Sequence, residues 1–273
     1  MKYFINGQDN LDKNIEGNVL SAVLLPIVVV TAISLLSLVG VFALSLTEDT
    51  LDNFLFVLLS FSAGSILGAA LLELLPEAVE LVEESSVFAY VALGYLGFFI
   101  LERFVYWFHG HIHGHESKSE VDERATVKDF VYLNLIGDAI HNFLDGMAIG
   151  ASFLISVSVG LSTAVAVVFH ELPQEIGDFG VLVYGGFSRG KALLFNFLSA
   201  LTAILGVLVS NYFLQGVTGF LIAFTAGGFI YIAASELIPE IQKEERFGKS
   251  IVQLVLFILG ITLIWSLGIL FPE

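Results

Sequence analysis

Residues 62–77 read SAGSILGAALLELLPE, and residues 225–240 read TAGGFIYIAASELIPE. Seven of the sixteen positions are identical, among them Glu73/Glu236, Pro76/Pro239 and Glu77/Glu240. Both stretches are apolar for most of their length and close on the same E-L-x-P-E ending. Chance likeness between two Ala/Gly/Leu-rich helices is the competing explanation, and the shared ending argues against it. A helix needs about 20 mostly apolar residues to cross the hydrocarbon of a bilayer. Eight segments qualify, near 19–46, 53–80, 87–108, 127–154, 157–185, 190–213, 216–240 and 249–271. The similar stretches lie in the second and seventh segments, which cross in opposite directions. Such an inverted pair is a common plan among transporters.

Composition agrees. The chain has 273 residues, 56% of them hydrophobic and only 14% charged. Its mean hydropathy is +0.88, and a soluble domain would carry about 25% charged residues. The expectation is an all-α membrane protein with one transmembrane domain over 19–273 and the lipid bilayer as its surroundings. The first 18 residues form a polar, acidic tail. They lack the apolar core of a cleaved signal peptide, so the tail is expected to be retained. The absence of cysteine excludes disulfides and thiolate metal sites, leaving imidazole, carboxylate and amide ligands. A net charge of −16 argues against a nucleic-acid partner.

Basic residues set the orientation. Lys2 and Lys13 lie in the tail. The other nine fall in or beside three connections: Arg103, Lys118, Arg124 and Lys128; Arg189 and Lys191; Lys243, Arg246 and Lys249. The intervening connections after the second, fourth and sixth segments carry none. This alternation predicts both termini outside and those three connections in the cytoplasm, with the cell membrane as the location. The connection 47–53 is expected inside yet has no basic residue.

The fourth segment contains GDAIHNFLDG (137–146) and the fifth FHELPQEIGDFG (169–180). Ionisable groups at membrane depth are costly and mark cavities or partners. His141 and Asp145 are one helical turn apart on one face, as are His170 and Gln174. If the two segments face each other, two imidazoles, a carboxylate and an amide oxygen converge, a set suited to Zn²⁺, with Fe²⁺ and Mn²⁺ as alternatives. Asn142 and Glu171 follow a ligand by one residue and are placed for a second ion bridged by Asp145. Pro173 frees the carbonyl of Phe169, which is open to ligating a metal, to hydration, or to permitting a kink. Asp138 and Asp178 extend the cluster toward the cytoplasm as pathway candidates, and Glu73, Glu77, Glu236 and Glu240 join them. Helix ends at the interface are the plainer reading of those four glutamates. The connection 109–126 begins HGHIHGHE, so His109, His111, His113 and His115 form a candidate metal-binding tract. A solvated polar loop is its plainer reading. For Asn196, alone in LLFNFLSA, the expectation is an interhelical hydrogen bond.

These motifs resemble the ZIP (Zrt/Irt-like) family of metal transporters over nearly the whole chain. HNFLD at 141–145 resembles the family's fourth-helix signature, and HELPQE at 170–175 the HExPHE motif of one branch. SRGKALLFNFLSA at 188–200 and the His-rich connection are similar to that branch too. The resemblance implies eight helices arranged 3+2+3, with helices 4 and 5 holding the metal between inverted repeats. It implies import of Zn²⁺ or a similar ion, His141, Asp145, His170 and Gln174 as the primary site, Asn142 and Glu171 as a second, and a homodimer. Two features depart from the pattern. Gln174 stands where that branch has His. Ala203 stands near the position where some relatives carry a sixth-helix Glu, which weakens the expectation of two metals.

The function expected is import of a divalent transition metal, zinc first and Fe²⁺, Mn²⁺ or Cd²⁺ after it, as transported ion rather than cofactor. Neutral imidazole ligands make affinity fall as pH drops through their titration range. Export or sensing through the same site is the alternative, since ligand chemistry sets no direction. An intramembrane metallohydrolase is disfavoured, because His170–Glu171 begins like HExxH but position 174 is Gln.

Overall fold

A computed structural model describes residues 24–43, 46–113 and 123–270. The tail 1–18 lies outside the described residues. Eight helices and no strand occur among them: α1 (Leu24–Val39), α2 (Asp49–Leu81), α3 (Glu84–His113), α4 (Glu123–Ile155), α5 (Val157–Tyr184), α6 (Arg189–Tyr212), α7 (Thr218–Ile241) and α8 (Phe247–Leu270). The fold class is that of an all-α membrane protein. By length and composition five helices suffice to cross a membrane: α2, α6, α7, α8 and the Ser85–Arg103 part of α3. α4 and α5 are long enough but too polar, and most of their polar side chains are buried in the bundle. A polar helix can cross lipid when it turns that face inward.

The helix boundaries fall within a few residues of expectation except around the His-rich connection. α3 continues to His113 and α4 begins at Glu123, so part of the stretch 109–126 is helical rather than loop. A helix leaving the lipid loses nothing by continuing into water. The side chains of His109, His111 and His113, and all of His115, lie outside the described residues.

Helix starts follow local capping. Ser156 accepts from Val159 N–H at 3.2 Å to start α5, and Ser188 accepts from Lys191 N–H at 3.4 Å to start α6. These hydroxyls serve N–H groups that have no partner within the helix. α5 ends at a turn where Gly186 has φ 91°, a left-handed value that favours glycine.

The repeat detected in the sequence reappears in the backbone. Ala69–Leu74 in α2 and Ile232–Leu237 in α7 are both π-helical turns at the same position in the repeat. In each, the residue before the proline donates to the carbonyl five back, Leu75 to Ala70 and Ile238 to Ala233. The cause is shared: Pro76 and Pro239 lack an N–H, and their rings press on the preceding turn, which a wider turn relieves.

Packing repeats as well. α2 lies on α8 and α7 lies on α3, each pair in backbone contact at glycines. A Cβ on Gly64 would overlap the carbonyl of Phe257, and one on Gly260 that of Phe61. A Cβ on Gly227 would overlap the carbonyl of Val91, and one on Gly94 that of Phe224. α4 and α6 meet in the same way at Gly146 and Gly206. Close approach through small residues is how helices associate in membranes, where lipid offers no hydrophobic drive. Contacts in all three pairs advance together along both chains, so the paired helices run parallel. α2 turns into α3 within two residues, hence α7, parallel to α3, runs opposite to α2.

Candidate metal centre

α4 ends at Ile155 and α5 starts at Val157, so Ser156 alone joins them. His141 lies fifteen residues before Ser156 and His170 fourteen after it. At about 1.5 Å per residue both stand some 21–23 Å from the turn, at one depth. The hairpin therefore levels the two histidines before any packing is considered.

The imidazoles meet. His141 Nε2 lies 3.3 Å from His170 Nε2. His170 Nε2 is 2.9 Å from Asp145 Oδ2 and 3.3 Å from Glu171 Oε1. His141 Nε2 is 3.4 Å from Glu171 Oε1 and 3.9 Å from Asp145 Oδ2. All four ligand atoms lie within 4.8 Å of one another, the one such group among the described residues. Ligands about 2.0–2.1 Å from a tetrahedral Zn²⁺ stand about 3.3–3.4 Å apart. The separations given above, 2.9–3.9 Å, bracket that value.

Hydrogen bonding points the same way. His170 Nδ1 faces the carbonyl of Ala166 at 3.3 Å. A carbonyl only accepts, so Nδ1 carries the proton and Nε2 keeps its lone pair for a metal. Both oxygens of Asp145 and Oε1 of Glu171 are buried without a hydrogen-bond donor. Buried carboxylate oxygens need a partner, and a metal ion held among the four groups would supply one. No Lys or Arg takes part in the ion pairs of the cluster.

The other candidates separate by environment. Gln174 lines the cavity beside His141 and His170. Asn142 donates to Asp138 Oδ1 at 2.8 Å and to the Asp138 carbonyl at 3.2 Å, so its amide N–H is turned to Asp138. Ser199 of α6 donates to the other oxygen of Asp138. Asp178 accepts from Asn134 at 2.8 Å. The cavity, about 420 Å³, begins at His141 and His170 and runs past Asp138, Asp178, Asn134, Glu236 and Glu102. Its lining includes Asp138, Asp178 and Glu236 of the pathway candidates. Glu73 instead faces Gly268 of α8, Glu77 is half-buried at the end of α2, and Glu240 pairs with Lys243 at 2.5 Å. Glu102 and Asn134 were not singled out in the sequence. Glu102 sits beside Arg103 in LERF and reads as a helix end, whereas here it accepts from the Tyr231 hydroxyl. On the opposite side of the cluster the space shrinks to about 10 Å³ among Phe98, Leu144, Met147, Leu221, Phe224 and Phe229, the lower limit for one water molecule.

Asn196 makes interhelical bonds, as expected. Its amide nitrogen donates to Glu175 Oε2 at 2.5 Å and to the carbonyls of Glu175 and Ser37 at 3.3 and 3.4 Å. Asn196→Ala would leave the buried Glu175 carboxyl without that donor, at a cost of about 2 kcal/mol. The apparent Tm of the purified protein in detergent should fall by several degrees, about 2–4 °C per kcal/mol at this size. An unchanged Tm would remove Asn196 as a tie between α1, α5 and α6.

The model of a family described as ZIP Zinc transporter matches residues 20–129 and 108–268. The chain belongs to the ZIP zinc transporter family. It is 33% identical over 280 residues to zinc transporter zipt-7.1 of Caenorhabditis briggsae, covering 79% of this chain and 71% of that protein. It is 35% identical to zinc transporter ZIP13 of Pongo abelii over 75% of this chain and 64% of that protein. Against zinc transporter YKE4 of Saccharomyces cerevisiae the identity is 30%, over 78% and 70%. This ZIP family member is thus a membrane-embedded transporter of a divalent metal, zinc, and not an enzyme.

Proposed function

We propose that this ZIP protein imports Zn²⁺ into the cytoplasm through His141, Asp145, His170 and Glu171, with Gln174 and Asn142 beside them. The observation that carries this reading is the convergence of those four ligand atoms, all within 4.8 Å of one another, at the head of a polar cavity. α1–α3 and α6–α8 serve as the inverted repeats around the α4–α5 hairpin, and both chain ends lie outside the cell membrane. The cavity runs along the later parts of α3, α5 and α7 and the earlier part of α4. These point to the connections that hold nine of the eleven basic residues, hence to the cytoplasm by the positive-inside rule. The narrow apolar side then faces outward. An ion entering from outside exchanges its water for two imidazoles and two carboxylates, and leaves past Asp138, Asp178 and Glu236. Binding must be firm enough to admit the ion and weak enough to release it. Fe²⁺, Mn²⁺ and Cd²⁺ are the further ions for this ligand set.

Two measurements test direction and orientation. Cells expressing the protein should gain zinc from the medium; a fall in cell zinc would indicate an exporter, and binding without flux a sensor. The chain has no cysteine, so single cysteines report sidedness without background. Glu245→Cys should react only from the cytoplasm and Gly216→Cys only from outside, and the reverse pattern would overturn the proposed direction.

A further inference from the structure

Pro173 sits in the interior of α5, in the turn that carries His170 and Glu171. Proline has no N–H, so the carbonyl of Phe169, four residues earlier, has no donor within its own helix. A buried carbonyl left without a donor is costly. In this molecule the donor comes from elsewhere in the chain. The hydroxyl of Ser62 in α2, fully buried, donates to Phe169 O. The ring of the neighbouring Phe61 packs on that of Phe169 with centroids 4.4 Å apart. Ser62 thus fills a bond that the proline removed, one peptide away from a histidine of the metal cluster.

We infer that Ser62 is a positioning residue for the metal centre, one that holds the Phe169 carbonyl away from the ion and fixes the direction of His170. The inference rests on the reading of the cluster as the transport site. With the hydroxyl present, the peptide between Phe169 and His170 is committed to α2, and His170 is held from both sides, by this bond and by its own Nδ1 on Ala166 O. Without it, the freed carbonyl is an additional oxygen ligand next to His170, and the site becomes richer in oxygen. Oxygen ligands favour harder cations such as Mn²⁺ over Zn²⁺. Ser62 therefore governs metal preference as well as affinity. The repeat places a hydroxyl at the same register on the other side. Thr225 is the counterpart of Ser62 in the two matched stretches, and it lines the small space beside Asp145.

Co²⁺ bound to purified protein in detergent reports ligand number and type by its visible absorption, and zinc competition gives the affinity. The wild-type spectrum should be lost in His141→Ala; a wild type that binds no cobalt would overturn the metal-site reading and this inference with it. Ser62→Ala should change the cobalt spectrum and weaken zinc binding about tenfold, the usual size of effects from groups that orient a ligand. Manganese binding should weaken less. Ser62→Thr, which keeps the hydroxyl, should stay within about threefold of wild type on the same scale. Pro173→Ala restores the missing N–H, so adding Ser62→Ala on that background should have little further effect. That double variant also serves if Ser62→Ala alone fails to fold. A wild-type spectrum and affinity in Ser62→Ala would overturn the inference. So would equal losses in Ser62→Ala and Ser62→Thr, or an undiminished loss on the Pro173→Ala background, because each would make the residue a matter of packing.

Discussion

Liposomes carrying the His141→Ala protein, loaded with a zinc-sensitive dye, should take up zinc no faster than protein-free liposomes, whereas the wild type fills them. The same result is expected for Asp145→Ala and His170→Ala. The reason lies in the ligand count. Zinc in a buried site is held by four groups, and the cluster supplies four ligand atoms from two helices. Taking away one imidazole leaves three ligands, one short of the four that hold a buried zinc. Residues that merely orient ligands already cost about 10–100-fold when changed, so loss of a ligand should exceed that range. The effect should lie in binding: His141 lines the cavity with 12% of its side chain exposed, and an apparent Tm near that of the wild type would separate loss of a ligand from loss of the fold. Glu245→Gln, an exposed change in the connection before α8, should leave flux unaltered. Zinc uptake that persists in both His141→Ala and Asp145→Ala would move the pathway away from the α4–α5 hairpin altogether.

Much of this arrangement was legible in the residues, for identifiable reasons. The eight helical stretches follow from lipid as solvent, which admits only such segments, and the matched pair 62–77 and 225–240 reappears as a pair of π-helical turns. The pairing of His141 with Asp145 follows from helical geometry alone. Three features did not follow from spacing. Glu171 is one residue past His170, well round the helix, yet its carboxylate reaches back to both imidazoles; a helical wheel tracks the backbone and not the reach of a long side chain. The amide of Asn142 is engaged by Asp138, a choice between two neighbours that a count of residues does not decide. The Phe169 carbonyl had three open fates in the sequence. It meets Ser62, 107 residues away, and no local pattern announces a partner at that distance. The π-helical turns before Pro76 and Pro239 were equally silent, although each proline marked the place where the helix would have to give way.

Gly64→Val and Gly227→Val should each prevent most of the protein from reaching its folded state. The two glycines are counterparts in the repeat, and each lies against the backbone of its neighbouring helix: Gly64 against Phe257 of α8, Gly227 against Val91 of α3. A Cβ at either position would fall on a carbonyl oxygen. A main-chain atom cannot rotate aside as a side chain can, so the helices must separate along the whole contact. Overpacking a close-packed interior costs about 1–3 kcal/mol when side chains can adjust. Here the cost should be about 3 kcal/mol or more, because the many small contacts of the α2–α8 or α3–α7 seam are lost together. Total stabilities are about 5–15 kcal/mol, so the yield of monodisperse protein should fall sharply and the apparent Tm with it. Gly180→Ala is the control. It lies in α5 with nothing within 4 Å of an added Cβ, and alanine is favoured over glycine in a helix by about 1 kcal/mol. That variant should fold as well as wild type or better. If Gly64→Val and Gly227→Val behave like Gly180→Ala, the two seams are not in backbone contact. The symmetric pairing of α2 with α8 and of α7 with α3, which carries the sequence repeat into the packing, would then be wrong.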